Sequence, residues 1–250
     1  MDRVAYIAAG GAARALEQQS VVSNNLANVS TNGFRAQLAQ FRAVPFVGEG
    51  QATRVGTVVA TPGADLTPGP LEVTDRALDV AINGQGWFAV QTPQGEAYTR
   101  AGNFRVGATG MLETASGLPV LSDQDQPIAV PENTRISFAQ DGSIVMLIEG
   151  QSEGNVVLGR LKLVNPPPAT LVRGDDGLFR GDPAAGGQAV AQPDPAVRIV
   201  AGALEGSNVN PAASMVSLLE TSRLFEMQMR AIQFASTNAE RANQLLGPGS

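Results

Sequence analysis
The strongest constraint on this chain is a run of small and apolar residues at its carboxy-terminal end. Met215, Leu218, Ser222, Phe225, Met229, Ile232, Ser236, Ala239, Asn243 and Leu246 alternate by three and four without a break. Such spacing puts all of them on one stripe of an α-helix and predicts a heptad seam for packing against another helix. Pro211 stands near the start, where a missing amide proton costs least, and Gly247-Pro248 closes the run. At ~1.5 Å per residue the helix would span about 50 Å. The opening residues repeat the theme more thinly. Ala5, Ala8, Ala12, Ala15, Gln19, Val22 and Leu26 keep the same spacing, which predicts a helix from about Ala5 to Asn28. It ends in Asn28, Ser30, Thr31, Asn32 and Gly33, residues suited to caps and turns.

Between these helices the pattern changes to short runs split by turn dipeptides: Asn83-Gly84, Thr109-Gly110, Ser116-Gly117, Asp141-Gly142 and Asp176-Gly177. Leu78 to Ile82, Trp87 to Val90, Arg135 to Phe138, Ile144 to Ile148, Val156 to Val164 and Val197 to Val200 read as β-strands. In the longest, Val157, Leu161 and Leu163 alternate with Arg160 and Lys162, as in a strand with one face in water. The fold class expected is α+β: terminal helices pairing as a coiled coil, with an inserted all-β domain and an extended arm. The divisions are residues 1–34 for the first helix, 35–77 for a Pro- and Gly-rich arm, 78–202 for the β domain, and 203–250 for a return strand and the last helix. No internal repeat is visible.

Helices at opposite ends of a chain must pack on the β domain, on each other, or on other chains. A lone pair is marginal, because ordering each residue costs about 1 to 2 kcal/mol in backbone entropy and helical hydrogen bonds offset only part of it. Ser222, Ser236 and Asn243 in the seam favour close approach and a fixed register. Head-to-tail contacts between like chains need not close, and they give a helical filament or tube. The remaining alternative is a seam that packs on the chain's own β domain.

Composition removes most other functions. There is no His and no Cys, which excludes Ser-His-Asp catalysis, thiol chemistry, disulfides and most zinc sites. A net charge of -6, with 17 basic residues that never cluster, argues against a nucleic-acid partner. No apolar stretch approaches the ~18 to 20 residues of a membrane-spanning helix. The six-residue apolar run before Gly10-Gly11 is shorter than the ~7 to 15 residues of a signal-peptide core, so the start reads as a retained helix. Asp123 with Asp125, and Asp175 with Asp176, read as turn residues and not as a catalytic pair. Gly84-Gln85-Gly86 joins two strands and reads as a turn. The Asn28-Val29-Ser30 sequon falls at a helix end and is discounted. No catalytic, cofactor or metal site is expected.

Two long motifs then carry a specific resemblance. Asn24-Asn25-Leu26-Ala27-Asn28-Val29-Ser30-Thr31-Asn32-Gly33-Phe34-Arg35 looks like the amino-terminal signature of the bacterial flagellar rod and hook family. Gly202-Ala203-Leu204-Glu205-Gly206-Ser207-Asn208-Val209-Asn210, followed by Met215 and Arg223-Leu224-Phe225-Glu226-Met227, resembles its second signature. Leu78 to Phe88 and Tyr98 to Phe104 are similar to the family's β core, so the likeness covers nearly the whole chain. The Met1-Asp2-Arg3 start, Thr61 to Gly69, Asp175 to Arg180 and Arg241 to Leu246 look most like the proximal-rod branch, with the distal rod as runner-up. Ala213-Ser214 departs from relatives that often place an acidic residue there.

The resemblance implies a structural subunit of the rod, the drive shaft that crosses the periplasm and transmits torque. It implies as partners other rod subunits, copies of itself and the flagellar type III export apparatus. It also implies that the end helices line the tube as a coiled coil, with the β domain outside. Asn24, Asn25, Leu26, Asn28 and Phe34 are then expected to fix the end of the first helix. Leu204, Asn208 and Val209 would hold the returning strand, and Phe225, Met229 and Ile232 would anchor the seam. Ala8, Ala12, Ala15, Val22, Met215, Leu218 and Leu246 complete the expected assembly surface. A free-standing β-domain binding or adhesive protein is the reading from another class, and it is weakened because only one Trp and two Tyr are available for stacking on sugars.

Overall fold
Alanine-rich sequence with few β-branched residues starts helical, and in a computed structural model the chain forms helix α1 over Asp2–Ala27. The structure describes residues 2–39, 41–45, 55–59, 63–131, 134–147 and 156–246. A longer helix, α2, runs over Pro211–Leu246. Its first turn is capped by Asn210, whose side-chain oxygen accepts from the Ala213 amide at 3.1 Å, and Pro211 occupies the first helical position. Gly247-Pro248, the expected stop, lies outside the described residues. Among the described residues two α-helices and several antiparallel sheets make the chain α+β, as the pattern predicts.

The chain divides into two units, one made of Met1–Ala27, Gln37–Pro62 and Asn210–Ser250, the other of Asn28–Ala36 and Gly63–Val209. In the first, α1 and α2 lie against each other. It also holds an antiparallel hairpin, Phe41–Pro45 with Val55–Val59, inside the stretch read from sequence as an arm.

The second unit is built on the hairpin Trp87–Thr92 and Gly95–Thr99, in register from Phe88↔Thr99 to Thr92↔Gly95. It forms the middle of a five-stranded sheet ordered Leu163–Val164, Trp87–Thr92, Gly95–Thr99, Phe179–Gly181, Leu171–Arg173. Its alternate residues feed two apolar clusters. Phe88, Val90 and Ala97 belong to the larger, with Phe104, Ile144, Leu161 and Ile199. Trp87, Ala89 and Tyr98 belong to the other, with Leu121, Val164 and Phe179. Both faces of the hairpin are therefore covered, which is why Trp87 to Val90 reads as an unbroken apolar run. A three-stranded sheet, Arg135–Phe138, Ser143–Leu147 and Val156–Arg160, adds Ile136, Phe138 and Ile144 to the larger cluster. Among the described residues the unit also holds three short antiparallel pairs: Arg198–Ala201 with Val80–Asn83, Ala203–Glu205 with Leu71–Val73, and Leu112–Glu113 with Arg105–Val106.

One feature of the expected strand Val156 to Val164 is corrected. The strand stops at Arg160, and the chain resumes at Leu163–Val164 in the five-stranded sheet. Lys162, expected in water, is buried. Its ammonium donates to Glu96 Oε2 at 2.8 Å and to Asp125 Oδ1. Alternation identifies two faces of a strand but not which one is wet. Here both are covered, so the charge is neutralised in place by carboxylates. The strands Gly95–Thr99, Leu171–Arg173 and Phe179–Gly181 were not legible as runs, whereas Ala203–Glu205 stands where the return strand is expected.

Candidate assembly surfaces
Along α1 one narrow stripe is withdrawn from solvent. Ala8, Ala12 and Ala15 are buried, and Val22 and Leu26 are half-buried. Methyl groups at these positions let another helix approach closely. On α2 the less exposed line passes through Ser214, Leu218, Thr221, Phe225, Gln228 and Ile232, stepping by four and three. Gly11 and Gln228 make one matched pair, because a Cβ added at Gly11 would stand 2.8 Å from Gln228 Cδ. Met215 and Met229 fall one residue beside this line and are exposed. The Leu246 side chain lies outside the described residues. The opposite faces keep large uncovered side chains: Tyr6 is 67% exposed, Ile7 72%, Leu219 61% and Phe234 70%.

At the end of α1 the amide of Asn25 clasps the Gln37 backbone, donating to its carbonyl at 2.9 Å and accepting from its N–H at 2.7 Å. Asn24 is exposed and Asn28 half-buried. The turn after α1 is held by Thr31, whose N–H donates to the Asn28 carbonyl at 3.1 Å and whose hydroxyl reaches Asn28 Oδ1 at 3.1 Å. Gly33 follows at φ 69°, a left-handed conformation that glycine adopts without strain.

The second unit then brings together residues far apart in sequence. Phe34 is buried beneath the Arg173 guanidinium, 4.5 Å from its ring centre. Asn208 uses both ends of its amide. Oδ1 accepts from the Ala36 N–H at 2.7 Å, and Nδ2 donates to the carbonyls of Asp65 at 2.9 Å and Thr67 at 3.0 Å. Val209 is buried and Leu204 half-buried. Between them lies Glu205, which sequence reading passed over. It is fully buried and receives Arg35 Nη2 at 2.6 Å and the Gly69 N–H at 2.9 Å on Oε1, and Arg100 Nη1 at 2.9 Å on Oε2. Arg35 and Arg100 lie 6.0 and 5.5 Å from the Trp87 ring centre. Burial pulls the Arg100 guanidinium down to about 10, against the opposing pull of Glu205. Each member of this cluster lies in a segment that carries the resemblance: Arg35 closes the first signature, Trp87 and Arg100 fall in the two β-core stretches, and Glu205 stands in the second signature.

Nothing in this arrangement resembles a reaction centre. A cavity of about 200 Å³ in the second unit is lined by Thr31, Asn32, Thr99, Asn103, Thr114 and Ser116 with Ala and Leu, and none of its lining residues is charged. Asp125 closes a turn at φ 60°. Asp176 accepts from the Leu178 amide at 3.1 Å and pairs with Arg180. Both are turn residues, as their sequence context predicts. Among the described residues no cluster is placed to hold a metal ion, and no helix is long and apolar enough to cross a membrane.

Comparison with known proteins agrees along the whole length. Residues 6–35 match the family described as flagella basal body rod protein, residues 81–146 the flagellar hook protein FlgE/F/G D1 domain, and residues 200–245 the flagellar basal body rod FlgEFG protein C-terminal region. The chain is 48% identical over 250 residues to the flagellar basal-body rod protein FlgF of Escherichia coli, covering 98% of this chain and 99% of that one. The FlgF of Salmonella typhimurium gives the same figures. A flagellar basal-body rod protein FlgG of Buchnera aphidicola is 34% identical over 246 residues, covering 90% and 93%. The chain belongs to the flagellar basal-body rod protein family and is a FlgF-like member of it.

Proposed function
We propose that this chain is a structural subunit of the proximal part of the flagellar rod, polymerising through α1 and α2 into a tubular shaft that carries torque. Its partners are copies of itself and other rod subunits, and it reaches the rod through the flagellar type III export apparatus. The helices pair as a coiled coil within the shaft, and the β domain, residues 78–202, stands outside it. The protein is not an enzyme, in keeping with its family.

The observation that carries this reading is the outer surface of the helices. Tyr6, Ile7, Leu219 and Phe234 are large, apolar and uncovered, while the helices themselves are electrically neutral. α1 has two acids and two bases, and α2 has three of each, so the net charge of -6 lies elsewhere. Neutral apolar faces let copies approach without charge repulsion, whereas a free-standing β protein has no use for them. Met215 and Met229 extend this face, and Ser222 lies between them. The test is Phe234→Glu, introduced in place of the native rod subunit. Cells are expected to lose complete basal bodies while the purified variant keeps the thermal transition of its β unit. Normal basal bodies with this variant would overturn the reading.

A further inference from the structure
We infer that Glu205 is a force-bearing anchor, the single carboxylate through which load entering along either terminal helix is passed to the β core. This rests on the rod reading above. The chain leaves α1 into Asn28–Ala36 and enters α2 from Val209, so tension along either helix arrives at residues 28–36 or 205–209. These two stretches are tied to each other. Arg35 donates to Glu205 at 2.6 Å, Gly33 N–H to the Glu205 carbonyl at 2.7 Å, and Ala36 N–H to Asn208 at 2.7 Å. The second oxygen of Glu205 holds Arg100, whose other nitrogen reaches the Gly84 carbonyl at 2.5 Å, in the turn between two core strands. Gly69, from the segment before the core, donates to the same carboxylate.

Stability alone does not explain this choice. Two buried guanidiniums share one carboxylate, and Arg35 Nε and Nη1 and Arg100 Nε have no hydrogen-bond partner. Apolar side chains of similar volume would hold a static core at least as well. An ion cluster does what apolar packing cannot, because its bonds have direction and fix the two crossing segments in register. A pull on one helix is then shared by both segments and the core, and neither segment is peeled away first.

The test uses the full chain. In Glu205→Gln, amide hydrogen exchange is expected to rise about tenfold or more in peptides covering 30–36, 65–70 and 203–209, with peptides covering 80–99 unchanged. Arg35→Gln is expected to loosen residues 30–36 alone, and it replaces the first variant if that one fails to fold. Placed in cells instead of the native rod subunit, Arg35→Gln should support normal swimming in dilute medium but lose about twofold in speed under viscous load. Unchanged exchange at 30–36 and 203–209, or a load response like that of the unmodified chain, would overturn the inference. Cells that build no flagella with the unmodified chain would count against the rod reading, and hydrogen exchange would then decide the anchor by itself.

Discussion

Gly33 shows how much one residue can decide. A Cβ there would stand 2.3 Å from the Arg100 carbonyl carbon, and its backbone is left-handed. Gly33→Ala is therefore expected to destabilise the β unit by about 2 kcal/mol or more, read by chemical denaturation. Lys162 offers a second test. Lys162→Met leaves Glu96 buried and uncompensated, at a cost of about 3 to 5 kcal/mol. Adding Glu96→Leu should recover most of the loss, because the charge that needed a partner is gone; a double variant as unstable as the single one would contradict the pairing. Both residues were visible in sequence, Gly33 as a turn former and Lys162 as half of an alternation. The turn was legible because its chemistry is local. The burial of Lys162 was not, because Glu96 and Asp125 lie 66 and 37 residues away.

At the scale of elements the helices were legible and the small strands were not. Three-four spacing over 26 and 36 residues repeats often enough to stand above chance. A three-residue strand such as Phe179–Gly181 contains no period. The role of Glu205 was not legible because its partners, Arg100 and Arg35, are 105 and 170 residues distant. On α2 the spacing admits two adjacent stripes that share Leu218, Phe225 and Ile232. One runs through Met215, Ser222 and Met229, the other through Ser214, Thr221 and Gln228. Methionine is the more apolar choice, so the pattern favours the first stripe; the second is the less exposed in the structure. The alanine stripe on α1 gives a direct test. Ala12→Glu puts a carboxylate into a buried position and should make both ends of the chain rapidly cleavable by protease, while near-ultraviolet circular dichroism from Trp87 stays unchanged. Ends that resist cleavage as before would show that this stripe does not hold the helices.

Over the whole molecule, the absence of His and Cys leaves no side chain with an ordinary pKa between about 5 and 8. Asp141 is held below the usual carboxylate range by Ser143, through hydroxyl and amide, and Asp176 by Arg180. A carboxylate lowered in the folded state adds stability that is fully present above its unfolded pKa and fades as pH falls through the folded value. Arg100 follows the same sign in a far more alkaline window. Lowered to about 10, it adds a rise in stability only as pH climbs beyond that value. Calorimetry should therefore find a flat melting temperature from about pH 5 to 8 and a decline below about pH 4. A step near neutrality would contradict this.

The Cys-free sequence allows the assembly surface to be probed one position at a time. The most direct measurement is maleimide labelling of Phe234→Cys, first in the purified monomer and then in basal bodies from cells that carry the variant. Ready labelling of the monomer and protection in the basal body would place α2 inside the shaft, as proposed. Equal labelling in both would mean that this helix faces solvent in the assembly, and polymerisation through the terminal helices would have to be abandoned.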